Sequence, residues 1–229
     1  AGYVQIAGPV INAQHMKMCE EMLALGAEMV LIDGAIDRKS IAAPESSDAI
    51  ILSTGAVLSR KMNKVVEETV HTVSLYGLPI LEEGEERKIF EEQGKSDQLI
   101  VIRDGEAIVP SIGTGLGAGK HLDAEIDDRT THICIPGAFT ASTVADINPR
   151  KLKDVTFVLK DPTKIFIDAG LWGQLRKKGL KVKVLNNIKV AAITVNPTAQ
   201  AGYVFDHTQL LDAMQEAVPD IPVIDVMMT

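Results

Sequence analysis

At 229 residues, 46% of them hydrophobic, the chain can bury a sizeable core as one α/β domain or two small ones, and it is globular rather than disordered. A net charge of −8, an isoelectric point near 5.2 and an aromatic content of 4% argue against nonspecific nucleic-acid binding and attraction to an anionic membrane surface. No apolar run reaches about 18 residues, so no membrane-spanning helix is expected, and no signal peptide is visible.

The first residues, AGYVQIAGP, open without Met and directly on a strand pattern, which reads as the start of a processed or truncated product. Residues 3–7 are expected as a strand ending at Gly8-Pro9. Asn12 is placed to cap a helix over about 13–25, with Met16, Cys19, Met22 and Leu23 on one face and Gly26 as its stop. Glu28 to Ile32 reads as a second strand ending in Asp33-Gly34-Ala35, followed by a polar connection, 36–47. Asp48 to Leu52 reads as a third, ending in Ser53-Thr54-Gly55-Ala56. The clearest helix has Leu58, Met62, Val65, Val66, Thr69, Val73 and Tyr76 at a period near 3.6, closed by Gly77 and Pro79.

Residues 82–97, mostly charged, are expected as a linker or solvated helix between a first lobe, 1–81, and a second, 98–229. The two lobes are left free to share one sheet. Gln98–Arg103 and Ala107–Pro110 flank Asp104-Gly105, a hairpin signal. Further strands are expected at His132–Ile135, Val155–Leu159, Lys181–Leu185, Val190–Val195 and Ile221–Val226, with a short apolar element at 165–167. Helices are expected after Thr140 or Ser142, over about 169–178, and over 207–217, where Asp206 with Gln209 forms a capping-box start. Strands that are apolar runs, alternating with helices, predict a mostly parallel sheet covered on both faces: an α/β, Rossmann-like layered fold.

The four glycines of AIVPSIGTGLGAGKHLDAEID, residues 107–127, invite a phosphate-binding reading. A phosphate loop of the Gly-x4-Gly-Lys-Ser/Thr type fails on spacing. Thr114 stands where the first glycine belongs, and His121 where magnesium needs a hydroxyl. A Gly-x-Gly-x-x-Gly fingerprint fails too, because the glycines recur every second residue. The favoured reading is a surface loop.

Small or polar residues end several strands: IAGP, DGA, STGA, PGA, DPTK and NPT. In open α/β sheets, ligands bind beyond the carboxyl ends of strands, where small residues let backbone amides approach them. Strand-to-helix turns also demand Gly, Pro and Asp, so a purely structural reading stands beside this one. Asp33, Asp37 and Arg38 form the densest polar cluster, able to meet a cation or to close an ion-pair turn. Asp161, Thr163 and Lys164 could meet a phosphate or carboxylate, or form a capped turn. With Ser53, Thr54 and Asn196 these are the candidate ligand-binding residues, although Asn196 before Pro197 also suits a plain turn. No catalytic residue and no metal ligand is assigned: there is no GxSxG elbow, and the five His residues lack metal-ligand spacing. Cys19 and Cys134 read as buried small hydrophobes in a reducing compartment, consistent with a cytoplasmic location.

Four stretches carry a resemblance: IAGPVINAQ (6–14), LALGAEMVLIDGAIDRKSIAAPESSDAIILSTGA (23–56), KDPTKIFID (160–168) and VLNNIKVAAITVNPTAQAGYVFD (184–206). Together they resemble the reactivase subunits associated with lysine 5,6-aminomutase, a cobalamin- and PLP-dependent enzyme of amino-acid-fermenting anaerobes. The resemblance runs the length of the chain and is weakest at about 82–130. It implies a chaperone-like factor that uses ATP to release damaged cobalamin from the mutase. The implied partners are a cobalamin-dependent aminomutase or a second reactivase subunit, with a homo-oligomer left open. Family members carry a Gly-Lys-Thr phosphate loop in an N-terminal portion. None stands in this sequence, so the expectation is a C-terminal module with no cofactor of its own, ATP and magnesium being held by a preceding part. The competing expectation is a free-standing, Rossmann-like small-molecule or nucleotide-binding enzyme with its chemistry at the strand ends.

Overall fold

The computed structural model describes residues 2–8, 12–33, 42–93, 98–110 and 118–228. In the chain's first part lie α1 (Asn12–Ala24), β1 (Ile50–Gly55), α2 (Met62–Tyr76) and α3 (Glu85–Gln93). A middle run holds β2 (Ile100–Arg103), β3 (Glu106–Ile108), α4 (Ala118–Glu125), β4 (Thr130–Cys134), β5 (Phe139–Thr140), α5 (Ala141–Ala145), α6 (Pro149–Leu152) and β6 (Thr156–Leu159). After them come a 3-10 turn (Pro162–Lys164), β7 (Ile165–Phe166), α7 (Ala169–Lys177), β8 (Lys181–Val184), β9 (Val190–Asn196), α8 (His207–Ala217) and β10 (Val223–Asp225).

The fold is mixed α/β. One sheet, of order β1-β9-β10, is entirely parallel. A larger sheet has the order β3-β2-β4-β6-β8. Its β4, β6 and β8 run parallel, while β2 pairs antiparallel with β3 and β4. The Asp104-Gly105 hairpin forms as its sequence dictates, both residues taking positive φ, 52° and 81°. A short parallel pair, β5 with β7, completes the pairing.

The larger sheet is buried on both faces. Val101, Ile133, Phe157, Leu159, Val182 and Val184 join one apolar cluster with Leu122, Leu152 and Trp172. Ile100, Ile102, Cys134 and Val158 join another with Phe90. Of the linker and the helix expected over 82–97, a helix forms at Glu85–Gln93, and it lies on the sheet through Phe90, which is 1% exposed, while Arg87 reaches in to donate to the Leu81 carbonyl at 2.9 Å. The smaller sheet packs one face only. Ile193 and Val195, with Leu52, Val190 and Val223, meet Val65 of α2 and Leu210 and Met214 of α8.

The smaller sheet takes β1 from the expected first lobe and β9 and β10 from the second. Helix α2 ties the two sheets together. His71 Nε2 lies 2.8 Å from the Ile167 carbonyl, the Ile188 N–H donates to the Tyr76 carbonyl at 3.0 Å, and Ile80 bridges Val184.

Several expected boundaries move. Residues 3–7 and 28–32 take no strand assignment: no described residue pairs with them, and Val4 and Leu31 are 73% and 83% exposed. Extended backbone becomes a strand only when a neighbour takes up its N–H and C=O groups. Asn12 is the first helical residue of α1 rather than its cap. Strand β1 begins later than Asp48 and runs on through Ser53, Thr54 and Gly55, because these pair with Thr194, Val195 and Asn196. Helix α2 starts at Met62, leaving Leu58 in the preceding turn. The glycine loop, 111–117, lies outside the described residues. The helix that follows it buries Leu122 and Ile126.

Candidate functional site

The carboxyl ends of the strands gather the expected polar residues into two separate groups. At the smaller sheet, β1 and β9 finish side by side, with Gly55 opposite Asn196. The Asn196 carbonyl accepts from the Ala56 N–H at 2.9 Å, and its side-chain Oδ1 accepts from the Thr198 N–H at 2.9 Å. A Cβ on Gly55 would lie 2.0 Å from that Asn196 carbonyl oxygen, so this crossing accepts only glycine. Ser53 stands on the exposed face, its Oγ 2.9 Å from Thr194 Oγ1. Thr54 faces inward and is buried, its Oγ1 2.7 Å from Thr69 Oγ1 of α2.

The second group ends β6 of the larger sheet. Asp161 is buried and caps the 3-10 turn: its Oδ1 accepts from the Thr163 N–H at 2.8 Å and also from the Thr163 hydroxyl. Thr163 is buried and Lys164 half-buried. Burial raises the Tyr76 phenol above its ordinary value of 10.0, and the Asp161 charge nearby adds to the effect. Asp161 and Thr163 therefore satisfy each other; they form the capped turn, one of the two alternatives that the sequence offers. Asp33 is exposed at the end of the 28–33 segment, and Asp37 and Arg38 lie outside the described residues.

A polar pair that the residue pattern did not single out completes the rim of the smaller sheet. Asp225, last residue of β10, stands opposite Val195 and is buried. Its Oδ2 lies 2.8 Å from Nδ1 of His207, first residue of α8, and its Oδ1 accepts from the Met227 N–H at 2.7 Å. A carboxylate oxygen only accepts, so His207 Nδ1 is the donor of this pair. Asp206 holds the start of α8 by accepting from the Gln209 N–H at 2.8 Å, which fixes the backbone that carries His207. The clues in sequence were slight: a His just inside a capped helix start, and an Asp ending the last strand.

Tyr203 closes the same rim. Its hydroxyl donates to the Ala56 carbonyl, and the Arg60 guanidinium sits 5.5 Å from its ring centroid. Ala56, Asn196 and Tyr203 thus bring backbone groups, an amide and a phenol to one place, beyond strands whose last residues are small. Among the described residues no group of three or more His, Cys, Asp and Glu is arranged to hold a metal ion, and no helix is long and apolar enough to cross a membrane.

Comparison with protein-family models, with curated proteins and with solved structures gave no match.

Proposed function

We propose that this chain is a binding module of a chaperone-like reactivating factor for a cobalamin-dependent aminomutase, layered in the Rossmann-like manner and working in the cytoplasm. It meets its partner, or a small ligand, at the rim formed by the carboxyl ends of β1 and β9. The resemblance carried by the segments quoted above supports the identity of the partner. The observation that carries the site is the place where β1 and β9 end side by side, Gly55 opposite Asn196, with the Asn196 side chain, the Tyr203 phenol and the Arg60 guanidinium gathered beside it. Such a rim is where open parallel sheets receive ligands.

The test is direct binding of this chain to immobilised lysine 5,6-aminomutase, intact and cobalamin-inactivated, together with calorimetric titration of magnesium-ATP. The proposal expects binding to the mutase that Ser53→Lys and Asn196→Lys both weaken. It expects ATP to bind more weakly than about 10 µM. Absence of mutase binding with the folded chain overturns it.

His207 and Asp225 favour a second reading, a small-molecule enzyme. A buried carboxylate that orients an imidazole, with the other ring nitrogen left free, is the arrangement of a general base. Under this reading, turnover of a small metabolite falls by about 100-fold or more in His207→Gln while the fold persists.

A further inference from the structure

The smaller sheet is parallel, yet among the described residues helices cover only one of its faces. Helices α2 and α8 both pack on the face of Ile193 and Val195. The opposite face presents Ile51, Ser53, Thr194 and Ile224, with Ile51 62% and Ile224 53% exposed. Parallel sheets are ordinarily covered on both sides, because their connections bring helices to both. Among the described residues no strand pairs with the outer edge of β1, the end strand of its sheet. Such an edge offers a row of free N–H and C=O groups.

The same chain carries the missing parts. Residues 3–7 and 28–32 have strand composition, and Val4, Met29 and Leu31 are exposed. Between them α1 gathers Met16, Cys19, Met22 and Leu23 at helical spacing, but contributes to none of the three core clusters. The order is strand, helix, strand.

We infer that residues 3–8 and 12–33 dock as a βαβ unit on the outer edge of β1, with α1 on the open-face side of the sheet, over the two added strands and against Ile51 of β1. Handedness fixes the arrangement. The crossovers from β1 to β9 and from β9 to β10 step in one direction and place α2 and α8 on one face. A right-handed crossover that places its helix on the other face must step the opposite way. Residues 3–7 therefore lie against β1, and residues 28–32 take the outer edge. The sheet then reads, in chain order of its strands, 2-1-3-4-5, one of the common doubly wound orders. The side chains fit this layout. Ile51, 62% exposed on β1 beside the added strand, is the side chain of the open face that α1 reaches, and Ser53 next along that strand is small enough to let the helix approach. The return connection is long enough: the sixteen residues between Asp33 and Ile50 reach roughly 50 Å when extended.

Docking has a consequence for the rim. It sets the end of the 3–7 strand, at Gly8, beside the end of β1. A doubly wound sheet reverses its strand order at that junction and takes its ligands there.

Hydrogen exchange of the full chain tests this. The amides of 3–7 and of β1 should exchange at least about 100-fold more slowly than free coil, as should those of β9, which is paired on both sides. Ile51→Lys changes only the open face, so it should abolish protection in 3–7 and 28–32 and leave α2 and α8 protected. The same variant should speed labelling of Cys19 by a thiol reagent about tenfold or more, with Cys134 as the buried control. Coil-like exchange at 3–7 in the native chain overturns the inference. So does protection that Ile51→Lys leaves unchanged. Mixing labelled with unlabelled chains decides where the segment docks: contacts from 3–7 to β1 within one copy support the inference, and contacts only between copies overturn it.

Discussion

The carbonyl oxygen of Asn196 occupies the space that a side chain at Gly55 would need, 2.0 Å from an ideal Cβ. The contact lets the end of β1 lie against β9 and brings the Ala56 N–H onto that carbonyl. Gly55→Ala should therefore cost about 1–3 kcal/mol through forced backbone displacement. Gly137→Ala, whose Cβ meets nothing within 4 Å, should stay within about 1 kcal/mol. Urea denaturation of both variants measures the difference.

Asp225 serves two donors from a buried position, His207 Nδ1 and the Met227 N–H. Asp225→Ala leaves both without their acceptor and should destabilise the chain by about 1–3 kcal/mol. Asp225→Asn keeps an oxygen for one of them and should cost less. Thermal melts rank the two variants, and imidazole nitrogen NMR shifts report whether His207 keeps its tautomer.

Burial pushes the Cys134 thiol up from 9.0 to about 12. Its folded value lies above its unfolded value, so the stabilisation is complete below about pH 9 and is lost as pH rises toward 12. Within that range stability should fall by up to about 1.4 kcal/mol per pH unit from this group. Tyr76 adds a parallel loss beginning near pH 10, since burial raises its phenol too. Urea midpoints followed from neutral to alkaline pH should decline, and Cys134→Ala should flatten the part that begins near pH 9.

At the end of β6, Asp161 is a cap and Lys164 is not. Asp161→Ala should cost about 1–2 kcal/mol by freeing the Thr163 N–H and hydroxyl. Lys164→Ala and Asp33→Ala should leave the melting temperature nearly unchanged, so any loss of ligand or mutase binding in them reports function directly. A large fall in stability for Lys164→Ala would make that residue structural.

Much of the secondary structure was legible because it is written locally. The period of Val65, Thr69, Val73 and Tyr76 specifies α2, Asp104-Gly105 specifies the hairpin, and Asp206 with Gln209 marks the start of α8. Charge density left a linker and a helix open at 82–97; the helix that forms at Glu85–Gln93 is docked by the single ring of Phe90, which spacing alone does not mark as buried. Of the candidate site residues, Ser53 and Thr54 end β1 beside the end of β9 that carries Asn196, Ser53 on the exposed face and Thr54 turned into the core, whereas Asp161, Thr163 and Lys164 follow a strand of the other sheet. His207 and Asp225 are 18 residues apart and share no motif, so their pairing could not be read from spacing.

By itself, then, the sequence determined the α/β class, the helices and hairpin that close over a few residues, and the apolar strands that demand a parallel core. Only the tertiary structure decided which strands share a sheet, which polar groups stand together at its rim, and which face is left open. The physical reason is range. Caps, turns and helical periods act over three or four residues, while β1 finds β9 across more than a hundred, through backbone pairing that any apolar strand of the chain could offer.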